Sequence, residues 1–305
     1  MRYAQFLIII LFSPLVNGLI KKLKANMQGR IGPGVLQPYY DLLRLFKKDM
    51  VVSKVTSWIF RATPYVVFTA TITAATIVPV VSIASAYRMM GDVIALIYLF
   101  ALARFFMALA GLDAGTAFGG EGSSREMTVS ILVEPMLMLA LFTAAISAGS
   151  TNISRIAAAS SATYSPSHVL ALSAFLVAII AETGRVPVDN PDTHLELTMI
   201  HEGMLLEYSG RYLALMEWAY HIKQMVLFTL VVDIFFPVGI MQNPGTTTAL
   251  MASLAYTGKM LVLALLMALV ESAQAKVRFF RLPSILGGAF VLAFLSLVTH
   301  IMLGK

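Results

Sequence analysis

Between residues 181 and 218 the sequence places Glu182, Asp189, Asp192, Glu196, Glu202, Glu207 and Glu217 alongside only two arginines, Arg185 and Arg211. Carboxylates at that density beside apolar sequence suit two tasks. They can hold and pass protons, because desolvation moves a carboxyl toward neutral pH, or they can dock a basic partner. His194 and His201 add groups that titrate nearest to neutrality. Histidines among acids also raise a metal reading, but no histidine follows His201-Glu202 where the HExxH pattern of zinc proteases needs one. Proton relay is the expected chemistry, with no metal in this chain. Asp192 is placed to cap a helix, and a helix over 194–207 would put Glu196 and Glu207 on one face and His194 and His201 on another, unless Gly203 interrupts it.

More ionisable residues fall inside or at the edges of apolar runs: Arg104, Glu134 (directly before Pro135), Lys223, Asp233, Lys259 and Glu271. A charge at bilayer depth costs at least about 2.5 to 3.5 kcal/mol on insertion scales, so each is a functional candidate by default. Their order along the runs places Glu134, Glu182, Glu217 and Glu271 near one membrane surface, Arg104, Lys223 and Lys259 nearer the midplane, and Asp233 toward the opposite side. This describes a polar path from one face to the middle of the bilayer. The alternative is a set of buried ion pairs that hold helices together.

The elements that must position these groups are membrane helices. The 305 residues are 58% hydrophobic and 12% charged, with a mean hydropathy of +0.81, outside the range of soluble domains. Eight apolar runs of about 20 residues, long enough for a roughly 30 Å hydrocarbon core, cover 3–20, 64–83, 93–112, 128–148, 167–182, 213–238, 248–271 and 282–303. They lack the alternation of barrel strands, so the fold class is an all-α integral membrane protein of about eight transmembrane helices in a single membrane domain. The first run carries its positive charge after the apolar stretch and is read as a span, not a signal peptide. There is no cysteine, which excludes disulfides, thiolate-held iron–sulfur clusters and cysteine zinc sites from the chain itself.

Three of the 22 lysines and arginines, Arg104, Lys223 and Lys259, lie within runs. Of the rest, fifteen fall in the loops after odd-numbered runs and four on the other side, which predicts long loops in the cytoplasm and both termini outside. The net charge of +6 is thus a topology signal and calls for no nucleic acid. The basic loop, 21–63, contains an amphipathic stretch over 39–48 with Tyr40, Leu43 and Phe46 at a spacing of three. Arg30, Gln37, Tyr40 and Arg44 of this loop, with Arg185, Arg211 and Arg278, are the expected docking residues for a soluble partner. The acidic loop spans 183–212.

Several motifs carry a resemblance. MQGRIGPGVLQPYYDLLRLFKKD, GLDAG with GGEGSSRE, SILVEPMLML, AGSTNIS and GRVPVDN through LEL to EGMLLEYSG resemble the complex I subunit 1 / formate hydrogenlyase subunit 4 family over nearly the whole chain. LVEPML, SSRE and AGSTNIS are similar to the branch of energy-converting group 4 NiFe-hydrogenases. The resemblance implies an eight-helix membrane subunit of an oxidoreductase complex in a prokaryotic cell membrane, with no catalytic centre or cofactor of its own. NiFe and iron–sulfur centres would lie in hydrogenase-like large, small and iron–sulfur subunits of a soluble arm, beside antiporter-like membrane subunits. By matching motif, Asp189, Glu196 and Glu207 fall at acidic positions of the family and Glu134 at the glutamate of the hydrogenase branch's VEP motif. Glu202 and His201 lie where this chain has about three extra residues, and Asp192 and His194 stand where glutamates are common. The expected role is ion coupling through Glu134, Glu182, Asp189, Glu196, Glu202, Glu207, Glu217, Glu271, Arg104, Lys223 and Lys259. Alternatives are a quinone-chamber subunit of a complex I-like enzyme and an independent ion-coupled transporter.

Overall fold

The computed structural model describes residues 5–82, 91–159, 165–189, 199–240 and 246–303. Ten α-helices account for most of them: α1 (Gln5–Met27), α2 (Gln37–Lys47), α3 (Trp58–Ile77), α4 (Val93–Asp113), α5 (Ala117–Ala148), α6 (Ile153–Ala159), α7 (Pro166–Glu182), α8 (Gly210–Phe235), α9 (Thr246–Ala273) and α10 (Leu282–Leu303). Among the described residues there is no strand, only an isolated antiparallel bridge between Asp92 and Asn152. Each of the eight apolar runs coincides with one long helix. α1, α4, α5, α9 and α10 are long and apolar enough to cross a membrane, and the 17-residue α7 is apolar but shorter.

The bundle is arranged around α8, whose residues from Gln224 to Phe235 are buried on every side. That is why its sequence shows little amphipathic pattern. α3 and α4 pack as a pair on one flank, α5, α7 and α10 form a group on another, and α9 leans chiefly on α1. Polar side chains complete the backbone where helices end. The Gln5 side-chain oxygen accepts from the amides of Val80, Val81 and Ser82 at 3.0, 3.1 and 3.2 Å, and Asp113 accepts from Ser57 and Phe60 at 2.8 and 3.3 Å at the start of α3.

One sequence expectation needs correction. α5 begins at Ala117, not near 128, so at 32 residues it is about 48 Å long and its first turns extend past the apolar run. The glycines and serines of 119–124 read as a loop but serve close packing: a Cβ on Gly122 would lie 2.9 Å from the Ile200 carbonyl oxygen and 3.2 Å from the Met204 amide. Gly122→Ala is therefore expected to displace the 199–204 segment, with a cost of about 1 to 3 kcal/mol. Faster hydrogen exchange at those residues would show it. α2 lies over the expected amphipathic stretch, with Tyr40 and Leu43 60% and 58% exposed while Pro38 and Leu42 are buried. The helix is held by the Tyr39 hydroxyl, which donates to the Leu11 carbonyl, and by Phe46 against Trp218 at 6.3 Å between rings. These contacts rotate Tyr40 and Leu43 outward.

Candidate functional site

The end of α7 and the turn after it organise the charged residues. Gly184, at φ +50°, ends the helix in a left-handed turn in which the Arg185 amide donates to the Ile180 carbonyl at 3.0 Å and the Gly184 amide to Ala181 at 3.2 Å. Glu182 and Arg185 thereby meet different partners. The Glu182 side chain is 1% exposed and receives Arg104 from α4 and Lys223 from α8, the latter at 2.8 Å. Arg104 also pairs with Glu134 and lies 3.3 Å from Glu126, both on α5. Three carboxylates thus share two cations, an excess of one negative charge.

Arg185 builds the adjoining group. Its guanidinium pairs with Glu271 of α9 and donates to the side-chain oxygens of Asn17 at 2.7 Å and Gln224 at 2.8 Å, while Lys24 of α1 lies 3.2 Å from Glu271. Here two cations face one carboxylate. Lys223 and Gln224 are neighbours on α8, and Glu182 and Arg185 are three residues apart, so the excess charges of the two groups lie side by side. Further out, Lys276 pairs with Asp189 at 2.7 Å, and the same carboxylate accepts from the Ile200 and His201 amides at 3.0 and 3.3 Å. A polar seam therefore runs from Asp189 and the Ile200 and His201 amides to Arg104 within the bundle. Beside it a cavity of about 390 Å³ is lined by Lys21, Lys24, Arg185, Glu202, Glu217, His221 and Glu271 together with Leu205, Tyr208 and Leu213.

Among the expected coupling residues, the seam holds Arg104, Glu134, Glu182, Asp189, Lys223 and Glu271. Glu202 and Glu217 line the cavity. Glu196, Asp192 and His194 fall outside the described residues. The described part of the expected 194–207 helix is not α-helical: Glu202–Met204 form a single 3-10 turn, because Gly203 packs against the Phe118 carbonyl and Gly122. Glu207 joins neither charged group; its neighbours explain the EYSG motif instead. Tyr208 stacks on Phe60 at 4.0 Å and donates to the Phe60 carbonyl at 2.9 Å, Ser209 bonds both the amide and the carbonyl of Val51 at 2.8 and 2.9 Å, and Gly210 takes φ +53° beneath the Asp49 carbonyl. The motif ties the acidic loop to the basic loop. Lys259 lies apart from the seam, with its ammonium on the Phe236 and Val238 carbonyls at the end of α8. Asp233 is buried, with no hydrogen bond to either carboxyl oxygen among the described residues.

Of the expected docking residues, Arg30, Tyr40, Arg44, Arg211 and Arg278 are exposed, whereas Arg185 is buried in the seam and Gln37 donates to Asp41 at 2.9 Å within its own helix. Sequence reading did not select Glu126, Lys24, Asn17 or Gln224. The SSRE motif around Glu126 was the available signal, since it lies two turns before Glu134 on a helix.

His201, partly buried in the loop, has its pKa lowered, mainly by burial. Its neutral form is favoured in the folded protein, so the unfolded chain takes up the proton first as pH falls. The loop should be firm above the ordinary histidine pKa of about 6.5 and loosen below it. With the intrinsic exchange rate at each pH divided out, the protection of 199–209 is expected to fall between pH 7 and pH 5, and His201→Gln to remove that fall.

The comparisons with known proteins agree with this architecture. The NADH dehydrogenase family model matches residues 1–303. The chain belongs to that family. It is 40% identical to formate hydrogenlyase subunit 4 of Escherichia coli K12 over 301 residues, covering 97% of this chain and 96% of that one, and 38% identical to hydrogenase-4 component C of the same organism over 297 residues, covering 97% and 93%. The NADH-quinone oxidoreductase subunit 8 of Rhodothermus marinus is a more distant member, 27% identical over 229 residues, covering 71% of this chain and 66% of that one. A chain of the membrane-bound sulfane sulfur reductase, an archaeal respiratory membrane complex, shares the fold with a TM-score of 0.82, 18% identity, and coverage of 96% of this chain and 97% of that one. Within the family this chain stands with the hydrogenase relatives.

Proposed function

We propose that this chain is the membrane anchor and ion-coupling subunit of a membrane-bound NiFe-hydrogenase of the formate hydrogenlyase or ferredoxin-linked type. The observation that carries the reading is the seam, which joins the loop around Asp189 to Arg104 inside the bundle through alternating carboxylates and cations. Full-length similarity to two hydrogenase components supports the choice of complex. In this reading the chain holds no redox centre; NiFe and iron–sulfur centres lie in a soluble arm docked on the basic and acidic loops. The loops face the cytoplasm and the termini the outside of the cell membrane. Antiporter-like subunits adjoin the chain in the bilayer.

The chain's own residues supply a charge relay. The Arg104 group, three carboxylates against two cations, becomes neutral on taking one proton, and the Arg185 group beside it has the opposite excess. Movement of the Asp189–Lys276 pair with its loop changes the field on both. A charge change in the docked arm thereby reaches the membrane interior as a shift in where a proton is held.

A second reading, a quinone chamber, has one observation in its favour: the cavity of about 390 Å³ has the size of a small-molecule site and an apolar wall beside its charges. One experiment separates the two. The tagged chain, extracted gently from its native membrane, is expected to bring hydrogenase subunits with it and to support viologen-linked H2 evolution. Quinone reduction without H2 evolution would favour the second reading, and a chain that purifies alone and transports ions would overturn both.

A further inference from the structure

Away from the seam, the structure leaves an apolar groove on the outside of the bundle. α9 leans chiefly on α1, so a channel of about 250 Å³ remains between α7 and α9, floored by Phe228 and Val231 of α8. Val177 and Ile180 form one wall and Leu263 and Leu266 part of the other; the single polar lining residue is Gln274 at one end. From Leu263 to Gln274 the groove follows eleven residues of chain, about 16 Å at 1.5 Å per residue. That is close to half of a roughly 30 Å hydrocarbon core, the depth of one leaflet. Its length suits a lipid acyl chain and falls short of a spanning helix.

The polar end of the groove carries unspent positive charge. Beyond Gln274 the chain passes from α9 to α10, and because α10 packs on α7 and α5 this connection crosses the end of the groove. It is pinned by the Val277 amide, which donates to the Pro187 carbonyl at 3.0 Å. Lys276 is engaged with Asp189, whereas Arg278 and Arg281 are exposed and form no ion pair among the described residues. Between them Phe280 is 93% exposed, an aromatic side chain where the connection meets the membrane–water boundary. Arginine offers planar paired donors to phosphate, and basic sites at the ends of membrane helices select anionic headgroups.

We propose that this groove binds one anionic glycerophospholipid, with an acyl chain along α7 and α9 and its phosphate on Arg278 and Arg281. The lipid fills the gap beside α9 and sits under the connection that carries Lys276, so it steadies the Lys276–Asp189 pair from the membrane side. The inference stands on the groove and the arginines and does not depend on the hydrogenase reading.

The test uses the complex purified with this chain and returned to phosphatidylcholine vesicles containing spin-labelled phosphatidylglycerol or, in parallel, spin-labelled phosphatidylcholine. The phosphatidylglycerol label is expected to show the larger immobilised fraction. Arg278→Gln with Arg281→Gln should weaken that preference roughly tenfold. Leu266→Trp, which fills the groove and leaves both arginines in place, should reduce immobilisation as well. Leu266→Cys gives this chain its single thiol, and a photocrosslinker on it should capture lipid, read as a mass increase of this subunit once the subunits are separated. Equal immobilisation of the two labels, an unchanged preference in the double variant, or crosslinking from position 266 to another subunit would each overturn the proposal. If the double variant fails to assemble, the comparison of the two labels on the unmodified complex and the Leu266→Trp result still decide it.

Discussion

Arg104→Met is expected to be the most destabilising single change in the subunit. The guanidinium is 5% exposed and is the group on which Glu126, Glu134 and Glu182 converge from two helices. Removing it leaves three carboxylates with Lys223 as their only cation in the group, and Glu182 stays almost fully inaccessible to water. Breaking a buried ion pair from one side typically costs about 3 to 5 kcal/mol, because the stranded charge has lost its compensation. The amount of assembled complex should fall sharply, and what remains should melt earlier. Arg104→Met with Glu182→Met restores the original charge difference, one cation against two carboxylates, but leaves Lys223, Glu126 and Glu134 without these partners, so it should recover only part of the loss. A coupling energy near zero in that double-mutant cycle would mean that the two residues do not act on each other.

This cluster also shows where the sequence was legible. Eight apolar runs are visible in composition alone, and each became a helix because a backbone in hydrocarbon has to satisfy its own hydrogen bonds. Arg104, Glu134, Glu182, Lys223 and Glu271 stood out for the same reason, as charges too costly to leave in a membrane without partners. Which partner each takes was not legible, since Arg104 and Glu182 are 78 residues apart and Arg185 and Glu271 are 86 apart. Arg185 follows an apolar run and reads as a surface cation; only the left-handed turn at Gly184 folds it back into the bundle. Glu126 was hidden because glycine and serine before it signal a loop, whereas here small residues let the 199–204 segment lie directly on α5. The two readings of the buried charges, ion pairs that hold helices together and a path for coupling, converge on the same residues, so geometry alone does not separate them. A change that keeps shape and alters titration does.

Glu182→Gln is that change. The amide preserves volume and can still accept a hydrogen bond from Arg104 or Lys223, but it has no carboxylate to take or release a proton. If the seam conducts the coupling signal, ion translocation by the complex in sealed vesicles should fall by about 10²-fold, the lower range for loss of a positioned proton-transfer group. On the proposed function, in which the groups that do chemistry on hydrogen lie in partner subunits, H2 evolution from an artificial donor that feeds those subunits directly should stay within about twofold. Glu134→Gln should give a smaller loss, because among the described residues Glu134 pairs with Arg104 alone whereas Glu182 holds both Arg104 and Lys223. Glu207→Gln is the control: this residue lies on the acidic loop yet joins neither charged group, so translocation should be nearly unchanged. The ordering Glu182, then Glu134, then Glu207 is what the seam requires, because it ranks the three by their share in the Arg104 group and not by their place in the acidic loop. Equal loss of translocation and H2 evolution in Glu182→Gln, with the complex intact, would assign the glutamate to helix packing. A large effect at Glu207 with none at Glu182 would place the coupling route along the docking face of the loop instead of inside the bundle.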